Sequence, residues 1–94
     1  MHFIRRERAN RLLSVVLEHP SLLGVGIDEG TAVEVPPRGP WRILGASAVL
    51  IYDARRARIT PDDAPVLGAT GVRLLVLSSG STYDPTTGRA TLPP

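Results

Sequence analysis

The sequence predicts an α+β domain in which one helix precedes five or six short strands. Apolar residues recur at helical spacing before the first proline, and short aliphatic runs bounded by Gly, Pro and Asp follow it. The chain has 94 residues, of which 43% are hydrophobic. That length suits one domain at most, and we assign residues 1–94 to a single, incomplete domain.

The helix is indicated by a stripe of apolar side chains at i, i+3, i+4, i+7 and i+8. We expect it to begin near Arg6 and to end at His19, because Pro20 disfavours helical geometry in the residue before it. The residues of the stripe are Ala9, Leu12, Leu13, Val16 and Leu17.

Strands are predicted wherever a short apolar run lies between turn residues. Gly45 is expected to break or bend the chain between two of them. The run at 55–60 alternates weakly and could be an edge strand, whereas the tail from Ser78 is expected to be loosely held. The predicted strands are 22–27, 31–35, 41–44, 46–52, 55–60 and 72–77.

The strand at 72–77 is rich in aliphatic residues that do not alternate with polar ones. This pattern predicts that the strand is covered on both faces of the sheet. A single helix covers only one face. We therefore expect a partner, or a part of the fold that precedes this segment, to supply the remaining cover.

Composition excludes several classes of function. The chain has no cysteine and two histidines, and it contains no phosphate-binding glycine loop, so neither a metal site nor a cofactor is expected. All eleven basic residues are arginine, but the net charge is only +2, so nucleic acid is not an expected partner. No apolar run is long enough to span a membrane and no signal peptide is visible, so we expect a cytoplasmic location.

The first motif places His2 and Phe3 before three arginines at fixed offsets, Arg6, Arg8 and Arg11. On a helix, Arg8 and Arg11 are neighbours, and Arg6 lies at the helix entry. Arginine forks bind carboxylates bidentately, so the three could hold an anionic group. From charge alone, the favoured interpretation is a solvated helix face that these arginines form with Arg5, Glu7 and Glu18.

The second motif spans residues 24–32 and carries Asp28 and Glu29 in a turn after a buried strand. Gly24 and Gly26 are expected to serve packing, while the acidic pair could serve a site or only make the turn. Gly45-Ala-Ser47-Ala-Val49 is similar to a nucleophile elbow, but a strand rather than a helix is predicted to follow, so we expect Ser47 to be structural.

Together with residues 43–53, 74–80 and 83–84, these motifs resemble the C-terminal part of the cyanophycinase family. That family consists of serine-type peptidases of the glutamine-amidotransferase-like superfamily. The resemblance implies the C-terminal part of a three-layer, flavodoxin-like sandwich. It assigns His2 to the catalytic triad as the base, and Arg6, Arg8, Arg11, Asp28 and Glu29 to substrate binding.

The resemblance implies hydrolysis of cyanophycin, or another β-aspartyl peptide, to β-Asp-Arg dipeptides. The nucleophilic serine and the acidic triad residue of the family precede its His-Phe pair. We therefore expect this chain to be inactive alone and to need an N-terminal half, or to self-associate as a dimer. The alternative is a small non-enzymatic α+β module that binds an acidic partner through its N-terminal arginines.

Overall fold

The computed structural model describes the backbone of residues 6–61 and 63–94, and the side chains from Arg11 onward apart from residue 62. Helix α1 spans Arg6–Glu18, as the apolar stripe predicts. The amide of His19 donates to the carbonyls of Val15 (3.0 Å) and Val16 (3.1 Å), which completes the last turn before Pro20. No helix in the described part of the chain is long and apolar enough to cross a membrane.

Nine strands follow α1 in the described residues, and every pair of neighbouring strands is antiparallel. They form a first sheet in the order β1-β4-β7, a second sheet in the order β2-β3-β8-β9, and a short β5-β6 ribbon. The strands are β1 Leu23–Ile27, β2 Thr31–Glu34, β3 Trp41–Gly45, β4 Ala48–Asp53, β5 Arg58–Ile59, β6 Ala69–Thr70, β7 Arg73–Ser78, β8 Thr82–Asp84 and β9 Arg89–Thr91.

One long hairpin, bent in the middle, runs through both sheets and joins them. Leu23 pairs with Asp53 and Ile27 with Val49 in the first sheet, and Thr31 continues the same register against Gly45 in the second sheet. Strands β1 and β2 therefore form one limb and β3 and β4 the other, closed by the loop at 35–40. Both limbs bend at the same level, where the chain passes from one sheet to the other.

Gly45 makes the bend in the second limb, as the sequence predicts. Its φ angle of 111° is one that side chains rarely adopt, and a Cβ there would overlap the carbonyl oxygen of Gly30. The amide of Ala46 donates to that same oxygen at 3.0 Å. The two limbs thus stay in contact through the bend because no side chain separates them.

The core lies between the two sheets and is largely aliphatic. Ile43 of the second sheet packs against Val49 and Ile51 of the first, and each of the three is fully buried. Tyr83 joins them from β8, with its ring in edge contact with Trp41 at 5.5 Å between centroids. Burial of these side chains is the main stabilising term of the sandwich.

Helix α1 covers the outer face of the first sheet over β1 and β4. Val16 is 2% exposed and packs with Tyr52 and Ala54. The helix approaches closely at Gly24, where a Cβ would overlap Val16 Cγ2 and lie 3.1 Å from Leu12 Cδ1. Gly24 therefore has the packing role that the sequence predicts.

The observed fold is a mixed α+β domain, as predicted, but the tail from Ser78 is not loosely held. It forms β8 and β9, and Tyr83 is fully buried. Sequence periodicity missed this hairpin because its strands are only three residues long. The predicted edge strand at 55–60 is also shorter than expected, being reduced to Arg58–Ile59.

Strand β7 is covered on one face only. Leu75 and Leu77 point into the core, while Leu74 is 53% and Val76 49% exposed on the other face. The described strands are antiparallel, and they do not confirm the flavodoxin-like sandwich that the family resemblance implies. The apolar outer face of β7 is nevertheless consistent with the expectation that this strand requires further cover.

We expect Gly24→Ala to lower the free energy of unfolding by about 1–3 kcal/mol, because the added methyl group overpacks the α1–β1 contact. Chemical denaturation of the single and double variants measures the effect. Val16→Ala should partly relieve it in the double variant, since Val16 is the residue that the new Cβ overlaps. Strict additivity of the two substitutions would contradict this account of the contact.

Candidate functional site

The three arginines of the first motif lie in the N-terminal half of α1. His2 lies outside the described residues. The backbone of Arg6 and Arg8 forms the first turn of the helix, and Arg11 is exposed. The turn at 19–22 connects α1 to β1, and Asp28 follows the end of β1. Among the described side chains, no hydrogen bond or ion pair joins Arg11 to Asp28 or Glu29.

Asp28 braces the bend of the long hairpin. Its Oδ2 accepts a 2.6 Å hydrogen bond from Ser47 Oγ, and its Oδ1 accepts from the amide of Glu29 at 3.0 Å. Thr31 Oγ1 accepts from the amide of Ser47 at 3.1 Å, which ties the same two turns a second time. The carboxylate of Asp28 is therefore engaged in holding the turn, whereas the side chain of Glu29 is exposed.

Ser47 has a carboxylate partner but not the context of a hydrolase nucleophile. Strand β4 follows it, whereas a nucleophile elbow requires a helix after the sharp turn. His19, the histidine of the described part of the chain, lies at the end of α1 and is exposed. Within residues 6–61 and 63–94, no group of three or more His, Asp or Glu could hold a metal ion.

A second cluster of charged side chains lies at the far end of β4. Asp53 is only 7% exposed and accepts from Arg55 at both oxygens, from Nε at 3.0 Å and from Nη2 at 2.9 Å. The amide of Arg55 adds a third bond to Oδ1 at 3.0 Å. Arg73 stands directly opposite Asp53 on β7, and its Nη1 donates to the carbonyl of Gly88 at 3.1 Å.

The pKa of Asp53 is lowered in this cluster, whereas the pKa of the neighbouring Tyr83 is raised. The hydrogen bonds from the Arg55 side chain lower the pKa of Asp53 below its ordinary 3.8, against the opposing effect of burial, and the charge of Arg73 lowers it further. Burial raises the pKa of Tyr83 above its ordinary 10.0, and the negative charge of Asp53 adds to this effect. At neutral pH, Asp53 is therefore ionised and Tyr83 is neutral.

Comparison with known proteins identifies relatives over most of the chain. A curated cyanophycinase from Synechococcus elongatus is 39% identical over 87 residues, which are 88% of this chain and 27% of the relative. Those from Trichormus variabilis and Geminocystis herdmanii are 36% and 32% identical, over 87% and 88% of the chain. The chain is related to the cyanophycinases. No protein-family model matches it.

The resemblance to cyanophycinases that the motifs indicate is thus confirmed. The chain spans between 27% and 32% of the length of these curated cyanophycinases, consistent with a match to their C-terminal portion. The site roles of His2, Arg6, Arg8, Arg11, Asp28 and Glu29 stay predictions.

The cluster around Asp53 was not predicted from the sequence. A signal was present, because Asp53 ends an entirely buried strand and two arginines follow within three residues. A buried carboxylate requires a charged partner, and Arg55 is the nearest candidate along the chain. The contribution of Arg73 depends on strand register and could not be read from spacing.

We expect Asp53→Asn to lower the free energy of unfolding by about 1.5–3 kcal/mol at pH 7, because charged hydrogen bonds with Arg55 are lost. The pKa of Asp53 is lower in the folded chain than in the unfolded one. Its stabilisation is therefore complete above the unfolded pKa, about 3.9, and is lost as the pH falls below it. Urea unfolding at pH 7 and pH 3 should show the difference between the wild type and the variant shrinking at pH 3.

Asp63→Asn is the matched control, since Asp63 is exposed. Its effect at pH 7 should stay within about 0.5 kcal/mol. A difference between Asp53→Asn and the wild type that is as large at pH 3 as at pH 7 would contradict the assigned ionisation.

Proposed function

We propose that this chain acts as the C-terminal part of a cyanophycinase-like serine-type exopeptidase, which hydrolyses cyanophycin to β-Asp-Arg dipeptides. The observation that carries the proposal is the 39% identity to a curated cyanophycinase across 88% of the chain. The His2-Phe3 pair and the arginines that follow it are the residues through which the chain would take part in the reaction.

His2 would serve as the general base. A neutral imidazole accepts the proton of the nucleophilic serine and later returns it to the leaving amine. That serine must be supplied by protein outside this sequence, because the 94 residues contain no G-x-S-x-G motif. The hydrogen bond of Ser47 to Asp28 at 2.6 Å supports a structural role for the serine in the one segment that is similar to an elbow.

Arg6, Arg8 and Arg11 would bind the carboxylates of the substrate. Arg11 is exposed, and the helix places Arg8 three residues before it, on the same side of α1. Two or three guanidinium groups along one helix end match a polymer that carries a carboxylate in every repeat. The exposed Glu29 would meet the substrate's guanidinium groups, while Asp28 holds the turn.

In the complete enzyme we propose that the first sheet extends the larger three-layer sandwich of the superfamily. The exposed Leu74 and Val76 of β7 support this, since an apolar sheet face of that kind is ordinarily covered. Cover would come from the remainder of the peptidase domain or, when this segment stands alone, from a second copy of it.

We expect the isolated chain to self-associate in a concentration-dependent manner, because the outer face of β7 stays exposed in the monomer. Sedimentation velocity measures this, and replacing both Leu74 and Val76 by Thr should shift the population toward monomer. A wild-type chain that stays monomeric and binds no hydrophobic dye at high concentration would contradict this use of β7.

We expect the chain alone to release no dipeptide from cyanophycin and to leave Ser47 unlabelled by a fluorophosphonate probe. Fusion to the portion of the Synechococcus elongatus cyanophycinase outside the aligned region should restore release. His2→Ala should then lower the rate by several orders of magnitude, because the hydroxyl is no longer activated. Arg8→Ala should chiefly raise KM, by about 10- to 100-fold for a lost charged hydrogen bond worth about 1.5–3 kcal/mol.

Arg42→Ala is the control for arginine removal, because Arg42 lies on β3 in an exposed ion pair with Glu34 at 3.7 Å. It should leave both kcat and KM unchanged. Normal cleavage by the fusion protein carrying His2→Ala would overturn the assignment of the base. Labelling of Ser47 in the isolated chain would overturn its structural role.

A further inference from the structure

The cluster around Asp53 forms part of the wall of a cavity of about 270 Å³. The cavity lies between the end of β4 and the turn at 85–88, away from the Asp28 bend. Three arginines line it, Arg55, Arg56 and Arg73, and Asp53 is the carboxylate among the lining residues. The excess of positive charge makes it a cavity suited to anions.

Two of the three guanidinium groups are held in place before any ligand arrives. Arg55 is fixed by Asp53 on one side and donates from Nη1 to the carbonyl of Pro85 at 2.7 Å on the other. Arg73 is fixed by the carbonyl of Gly88. A guanidinium has five N–H donors, so these bonds leave further donors on both groups. Groups held in this way lose little conformational entropy on binding.

The turn that closes the cavity is itself fixed by hydrogen bonds. Asp84 Oδ1 accepts from the amides of Thr86 (2.9 Å) and Thr87 (3.4 Å), so Asp84 holds the turn. Thr86 and Thr87 line the cavity, and Thr87 Oγ1 accepts from the amide of Arg89 at 3.2 Å. Hydroxyl groups can donate to an oxyanion alongside the arginines.

A buried hydroxyl lies next to this cluster. The side chain of Tyr83 is fully buried, and its Oη has no hydrogen-bond partner among the described residues. The phenol is within electrostatic range of Asp53, Arg55 and Arg73. Tyr83 is not among the residues that line the cavity, so its hydroxyl takes no part in the proposed site.

We propose that this cavity is a binding site for a small oxyanion, a phosphate or carboxylate group, held by Arg73 and Arg56 with support from Arg55. A cavity of about 270 Å³ is smaller than the range of about 300–1,000 Å³ typical of drug-sized ligands, so the ligand is a small molecule or a single anionic group. The lining residues are not those of the His2 motif, and the proposal stands whether or not the chain takes part in cyanophycin hydrolysis.

Titration of the ¹⁵N-labelled chain with inorganic phosphate, and separately with succinate, tests the proposal at constant ionic strength. We expect saturable shifts of the amide signals of Arg56, Gly71, Thr86 and Thr87 with at least one of the two anions. Tighter binding of phosphate indicates a phosphorylated ligand, and tighter binding of succinate indicates a carboxylate.

Arg73→Gln should weaken binding about 10- to 100-fold, the loss expected for one charged hydrogen bond. Arg56→Gln should also weaken it, and among the described residues the Arg56 side chain makes no hydrogen bond that this variant would remove. Arg42→Gln should bind as the wild type does. The absence of saturable shifts with either anion, or unchanged affinity in both Arg56→Gln and Arg73→Gln, would overturn the proposal.

Discussion

The hydrogen-bonded bend of the long hairpin is the constraint on which the rest of the structure depends. Asp28 and Ser47 join the two limbs where both pass from the first sheet to the second, and Gly45 allows them to touch there. The positions of the other elements depend on this bend. Strand β7 adds to the first sheet, β8 and β9 add to the second, and α1 packs on the outside.

The bend also separates two chemically distinct ends of the domain. β4 starts beside the Asp28–Ser47 brace and ends at Asp53, a span of about 17 Å at the usual strand rise. The acidic turn at Asp28 lies at the first end, and the arginine-lined cavity lies at the second. Because β4 is buried along its whole length, the two ends are connected by rigid, packed structure.

Sequence reasoning succeeded where local signals were strong. The stripe and Pro20 fixed the bounds of α1, and Gly45 marked the bend. It failed at the C-terminal hairpin, because strands of three residues carry almost no periodicity and the burial of Tyr83 is decided by packing against Ile43. Arg73 faces Asp53 because of the register between β4 and β7. That register joins distant parts of the chain, so the place of Arg73 in the cluster could not be predicted from the sequence.

The bent hairpin also affects the order in which the elements of the chain fold. Its limbs are closed by a loop of only about six residues, so the entropic cost of bringing the first pairs together is small. Pairing can then extend outward from the loop in one uninterrupted register. We therefore expect the hairpin to form first, from its loop outward. The bend would then collapse, and β7, β8 and α1 would dock last on a nucleus that already contains strands of both sheets.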